Sequence, residues 1–213
     1  MPLQKIEWTR YQSGWAIWHI IESFDTLAGL AQPEVCPTDV KNPLKRMEWA
    51  AGRALMKTMI DQTGLTYAGL NKDSLGKPQL TNHPHFVSLS NSYPYVAAQL
   101  DFLQPVGIDL EQPKSKVVRI AHRVLTQDEV KDAGKDILKN CVYWCAKEAL
   151  FKLHGKKGIS FSEHLGVQPF TLAKAGALLG NISADGNITS IPLEYKITDD
   201  FVLVFSAIKN EFP

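Results

Sequence analysis

The sequence predicts an α+β protein of two similar halves, each a long helix packed on a small antiparallel sheet, and three observations predict it. The segment Trp49-Ala-Ala-Gly-Arg-Ala-Leu-Met-Lys57 is echoed by Trp144-Cys-Ala-Lys-Glu-Ala-Leu-Phe-Lys152, with Trp, two Ala, Leu and Lys coinciding. Each copy lies in a helix-length stretch followed by strand-like runs, which reads as an internal duplication of one helix-plus-sheet unit. Pro105 then marks a junction, giving an N-terminal half over 1–105 and a C-terminal half over 106–213. A duplicated protein of this kind is expected to carry its active site in the cleft between the halves.

Taken in order, Trp15 to Ile20 combines aromatic and β-branched residues and predicts an early strand, followed by a loop through Pro33, Pro37 and Pro43. From Leu44 to Ile60 there is no proline, and Met47, Leu55, Met56 and Met59 recur at helical spacing until Thr63-Gly64 stops the helix. Phe86 to Leu89, Tyr95 to Leu100 and Val106 to Glu111 read as strands, the last ended by Gln112-Pro113 because proline cannot donate to a ladder. A second helix is expected over Leu138 to His154, with Gly155 as its left-handed cap. Ile188 to Ile197 and Phe201 to Ile208, joined by Thr198-Asp199-Asp200, predict a terminal hairpin.

Composition narrows the function classes. Hydrophobic residues make up 45% and charged residues 21%, far from the balance of disordered chains. A formal net charge of +1 gives no global field to recruit nucleic acid or a membrane surface, so any basic site is local. No run approaches the roughly 18 apolar residues of a membrane span, and Met1 to Arg10 lacks a leader pattern, so the expected location is cytoplasmic. Cys36, Cys141 and Cys145 have neither metal-ribbon nor redox-motif spacing. The last two, one helical turn apart, are expected as small buried side chains.

The chemistry begins at Gly107-Ile108-Asp109-Leu110-Glu111. A period of two sends Asp109 and Glu111 to one face of a strand and Ile108 and Leu110 to the other. Adjacent carboxylates repel and raise one another's pKa unless water or a cation screens them, so alone the pair also fits a solvated face. On the second helix, residues four apart align Trp144, Glu148 and Lys152, with Lys147 on a neighbouring stripe. Glu148 and Lys152 alone would be an ordinary helix ion pair. Asp109, Glu111 and Glu148 together form an oxygen-only donor set suited to magnesium, which keeps positions open for water and phosphate oxygens. Arg46 and Arg53, the Gly76-Lys77-Pro78 turn and Lys152-Leu-His-Gly-Lys-Lys157 offer basic groups for a phosphate-bearing substrate.

Gly107-Ile-Asp109-Leu-Glu111 followed by Trp144-Cys-Ala-Lys147-Glu148-Ala-Leu-Phe-Lys152 resembles the paired signature of the 4′-phosphopantetheinyl transferases, in their two-half, monomeric, surfactin-synthetase-activating form. Gly76-Lys77-Pro78, Val87-Ser-Leu-Ser90-Asn91-Ser92 and Leu125-Thr-Gln-Asp-Glu129 resemble family segments in the same order, so the likeness covers roughly residues 44 to 160. The resemblance implies that Asp109, Glu111 and Glu148 hold magnesium against the pyrophosphate of coenzyme A. It implies that Glu148, or Glu129 through a water, takes the proton of a carrier serine and that Lys152 stabilises the departing oxygen. Arg46, Arg53, Lys77, Pro78, Ser90, Asn91, Asp109, Lys147 and Lys152 are the implied coenzyme A contacts. One departure stands out: the family usually carries histidine where this chain has Asn91, and asparagine brings a hydrogen bond but no charge.

The implied partner is an apo acyl- or peptidyl-carrier protein, and the basic stretch Lys114, Lys116, Arg119 and Arg123 is a candidate surface for it. His83, His85 and His122 are assigned no role. Two other readings are a catalytically idle homologue that binds coenzyme A or carrier protein, and a magnesium-dependent phosphohydrolase using the same carboxylates.

Overall fold

The computed structural model describes residues 3–9 and 13–207. The chain divides into two compact units, Met1–Val106 and Gly107–Pro213. Each has one long helix on one antiparallel sheet, the α+β architecture that the sequence predicts.

Unit 1 opens with β1 (Leu3–Thr9) and β2 (Ser13–His19), then α1 (Phe24–Leu30) and α2 (Pro43–Gln62). β3 (Leu70–Lys72), β4 (Pro78–Leu80), β5 (Phe86–Ser92) and β6 (Tyr95–Asp101) complete a sheet of order β1-β2-β6-β5-β4-β3. α2 starts where Asn42 Oδ1 accepts the backbone N–H groups of Leu44 and Lys45, with Pro43 in the first turn, where its missing N–H costs nothing. Its buried face, Ala50, Ala51, Ala54, Leu55, Met56, Met59 and Ile60, packs with Ala16, Val87, Val96 and Leu100 of the sheet. β1 and α1 are additions to the sequence reading. The segment after β2, where the sequence predicts a loop, contains a short helix capped by Ser23, whose hydroxyl accepts the Thr26 N–H at 3.3 Å.

Unit 2 runs β7 (Ile108–Glu111), α3 (Ser115–Ile120), a 3-10 turn (Ala121–Arg123), α4 (Gln127–Ala133), α5 (Ile137–His154) and α6 (Phe161–His164). β8 (Leu165–Val167), β9 (Ala175–Ala184), β10 (Asn187–Ile197) and β11 (Val202–Ser206) follow, in a sheet of order β7-β11-β10-β9-β8. The expected terminal hairpin is β10–β11, with Leu193 opposite Ser206 and Ile197 opposite Val202; Ile208, its expected last residue, lies outside the described residues. α5 is capped by Asp136 at one end and by left-handed Gly155 at the other. Its apolar face buries Cys141, Val142, Cys145, Ala146, Ala149 and Leu150 against Leu193, Val202 and Val204, so the two cysteines are core side chains.

Gly107 sets how closely β7 approaches α5. A Cβ there would fall 1.9 Å from the Ala149 carbonyl oxygen and 2.9 Å from the Leu153 nitrogen, both backbone atoms that cannot step aside. Gly107→Ala is therefore expected to push β7 off the helix and destabilise the protein by at least about 3 kcal/mol, read by thermal or urea unfolding. A variant within about 0.5 kcal/mol of wild type would show that this approach is not needed.

Candidate active site

Four functional side chains of unit 2 come from two elements. β7 pairs with β11 in a register that sets Asp109 opposite Val204 and Glu111 opposite Val202. Alternation then puts Asp109 and Glu111 on one face, while Ile108 and Leu110 are fully buried. Asp109 is itself only 4% exposed, so the solvated-face reading fails. α5 brings Glu148 and Lys152, one turn apart, alongside β7.

The ion pair differs from the one expected on helix spacing. Lys152 Nζ donates to Asp109 Oδ1 at 2.6 Å and to the Ile108 carbonyl at 3.0 Å, crossing from helix to strand instead of running along the helix to Glu148. A nearly buried carboxylate draws the ammonium more strongly than a helix-surface neighbour does. Glu148 is half-buried, and burial pushes its carboxyl up to about 7; Asp109 and Glu111 push the same way and Lys152 opposes them. Asp109 and Glu111 also help burial hold the Cys145 thiol well above its ordinary range.

Among the described residues no group of three or more histidine, cysteine or carboxylate side chains is gathered as a ready metal site. The donor chemistry nevertheless fits a hard divalent cation. Three carboxylates share one electrostatic neighbourhood, and the positive charge that Asp109 meets there is the Lys152 ammonium.

Glu129 and Lys147 form a buried ion pair within unit 2. Lys147 is fully buried, with Nζ 2.7 Å from Glu129 Oε2 and donating to the carbonyls of Val124 at 3.0 Å and Phe161 at 2.9 Å. Glu129 is the capping-box residue of α4. Its Oε2 accepts the Thr126 N–H at 2.7 Å and its Oε1 the Val167 N–H at 2.8 Å. All three of Lys147's donor directions and both Glu129 oxygens are thus engaged within unit 2. The pair ties α4, α5, α6 and β8 together beside Glu148.

In unit 1 a cavity of about 270 Å³ is lined by Val40, Lys45, Glu48, Trp49, Gly52, Arg53, Leu89, Ser90, Asn91 and Val96. Three of the sequence-predicted binding residues, Arg53, Ser90 and Asn91, meet here. Arg53 lies over the Trp49 ring at 4.5 Å, with Nε 3.5 Å from Glu34. Asn91 donates to Glu48 Oε2 at 2.5 Å, and Glu48 also takes the Tyr93 N–H at 3.2 Å and Lys45 Nζ at 2.6 Å. Glu48 and Glu34 were missed in the sequence. Glu48 could have been found from its place three residues after Lys45 and beside Trp49, whereas Glu34 lies in a loop with no pattern. Arg46 does not line the cavity; its guanidinium stacks on Phe24 at 4.2 Å. Lys77 and Pro78 sit at a turn shaped by Asp73 Oδ1, which accepts the N–H groups of Leu75 and Lys77, and burial lowers the Lys77 ammonium. His83 hydrogen-bonds the Thr66 carbonyl and His85 stacks on Phe102 at 3.7 Å.

Comparison with known proteins agrees with the carboxylate pattern. Residues 105–195 match the model of the 4′-phosphopantetheinyl transferase superfamily, a segment that contains β7, α4, α5 and their site residues. The chain is also 35% identical over 120 residues to the 4′-phosphopantetheinyl transferase psf-1 of Bacillus pumilus, an alignment covering 54% of this chain and 46% of the relative. The chain thus spans about half the length of the curated relative it matches. Asp109, Glu111, Glu148 and Lys152 all lie inside the segment that is similar to the 4′-phosphopantetheinyl transferase superfamily.

Proposed function

We propose that this protein transfers the 4′-phosphopantetheine group of coenzyme A to a serine of an apo acyl- or peptidyl-carrier protein, with release of adenosine 3′,5′-bisphosphate. The observation that carries the reading is the convergence of Asp109, Glu111 and Glu148 with Lys152 across β7 and α5, within the segment that matches the family.

Asp109, Glu111 and Glu148 are the residues that would hold magnesium, which when bound supplies charge neutralisation at the pyrophosphate. Glu148 is the proton acceptor for the carrier serine hydroxyl. Burial pushes its carboxyl up in the metal-free chain, and a bound cation would favour the ionised form that can accept the proton. Glu129 holds Lys147, and through it α5, and we assign both a positioning role. The cavity of unit 1, with Arg53, Ser90 and Asn91, together with Arg46, Lys77 and Pro78, receives coenzyme A. Asn91 contributes a donor already oriented by Glu48, without the charge of histidine. Lys114, Lys116, Arg119 and Arg123 are all exposed on α3 and its flanks and form the docking surface for an acidic carrier.

Lys152 leaves Asp109 to stabilise the oxygen that departs with the bisphosphate. Lys152→Ala is therefore expected to lower single-turnover transfer about a hundredfold while changing coenzyme A affinity by less than about threefold. Equal losses in rate and binding would remove the leaving-group role. The proposed function itself is tested by the mass of a carrier protein after incubation with coenzyme A and magnesium.

A further inference from the structure

A second basic site lies in unit 2 apart from the carboxylates. A groove of about 600 Å³ is formed by the end of α5, the loop to α6, and the β9–β10 turn. Its polar lining is dominated by cationic and donor groups: His154, Lys156, Lys157 and His164, with Ser183 and Asn187. None of Asp109, Glu111, Glu148 and Lys152 lines it. The one carboxylate in the lining, Asp185, is 83% exposed at its side chain and 3.7 Å from Lys156 Nζ.

The chain builds this concentration of donors with evident constraint. Gly155 at φ 65° and Gly158 at φ 84° turn the backbone sharply, so that Lys156 and Lys157 are held beside the groove. Asp185 at φ 53° and Gly186 at φ 76° make the opposite wall a tight hairpin turn. His164 Nδ1 accepts the Ser160 N–H at 2.9 Å, which fixes the neutral ring's proton on Nε2 and makes that nitrogen a donor. The negative end of the α5 dipole accounts for a basic residue, His154, in its last turn. It does not account for Lys156, Lys157 and His164, which lie beyond the helix. Ile159 and Ile188, the latter 74% exposed, add apolar walls, and the volume exceeds what a bare inorganic anion fills.

We propose that this groove binds a small phosphorylated anion, its phosphate between Lys156, Lys157, His154 and His164 and its body against Ile159 and Ile188. The inference does not depend on the transfer reading, since it uses no residue of the carboxylate site.

Pyrophosphate is the probe, titrated into the full chain in a chelator-containing buffer while the histidine ring proton signals are followed by NMR. The expected result is a saturable shift of the His154 and His164 signals, assigned through His154→Gln and His164→Gln. His83 and His85, in unit 1, should stay still. The exposed pair Lys156→Gln/Lys157→Gln, checked for an unchanged unfolding temperature, should raise the dissociation constant at least about tenfold. Shifts that do not saturate, that sodium chloride reproduces at equal ionic strength, or that survive the lysine substitutions with an unchanged constant would overturn the proposal. So would saturable binding reported only by other residues.

Discussion

Glu148→Gln is expected to lower phosphopantetheine transfer about a thousandfold and, at the same time, to make the metal-free protein more stable above neutral pH. Both effects come from one environment. Burial raises the Glu148 carboxyl from 4.5 to about 7, with Asp109 and Glu111 adding to it, so the folded chain keeps a proton that the unfolded chain has already lost between those values. A group raised in the folded state lends its stability at low pH, and that contribution disappears as pH climbs through about 7. The loss is at most about 3 kcal/mol and smaller after solvent screening at a half-buried site. Glutamine has no proton to lose, so the variant's unfolding temperature should be flatter between pH 5 and pH 8 and exceed wild type at pH 8. Magnesium should then raise the wild-type unfolding temperature at pH 8 by more than it raises the variant's. Unfolding scans at several pH values, with and without magnesium, check all three statements. Parallel pH profiles for the two proteins would show that Glu148 is not held as described.

The second large effect is expected at Lys147. Lys147→Met removes the counter-ion of Glu129, which is 4% exposed, and strands a carboxylate away from water. It also leaves the Val124 and Phe161 carbonyls without their ammonium donor. Breaking a buried pair from one side typically costs about 3–5 kcal/mol, so a large loss of stability is expected. Adding Glu129→Gln removes the stranded charge and keeps an oxygen for the Val167 N–H, so the double variant should recover about 1–3 kcal/mol relative to the sum of the single changes. Urea unfolding of wild type, both single variants and the double variant gives the coupling directly. Strict additivity would mean that the pair does not clamp α5.

Much of the fold was legible because its signals are local. α2 and α5 announce themselves through helical apolar spacing with a stop at Thr63 and Gly155, and β10–β11 through two apolar runs around Thr198-Asp199-Asp200. The alternation of β7 correctly separated Asp109 and Glu111 from Ile108 and Leu110. α1 was missed because three prolines in the following segment outweigh its seven-residue helix and Ser23 cap. Within the site, sequence spacing could not tell that Lys152 would leave its helix neighbour for Asp109, because that choice depends on how β7 is buried under α5. The burial of Lys147 is illegible in the sequence for a related reason. Lysine is ordinarily exposed, and only the folded chain brings Glu129 and two carbonyls from separate segments to its ammonium.

The central claim is tested most directly by incubating the purified protein with coenzyme A, magnesium and several apo carrier proteins, and weighing the intact carriers. The account predicts the gain of one phosphopantetheine on at least one carrier with wild type and none with Glu148→Gln. No gain on any carrier, with coenzyme A still bound or with phosphate released in the absence of a carrier, would contradict it.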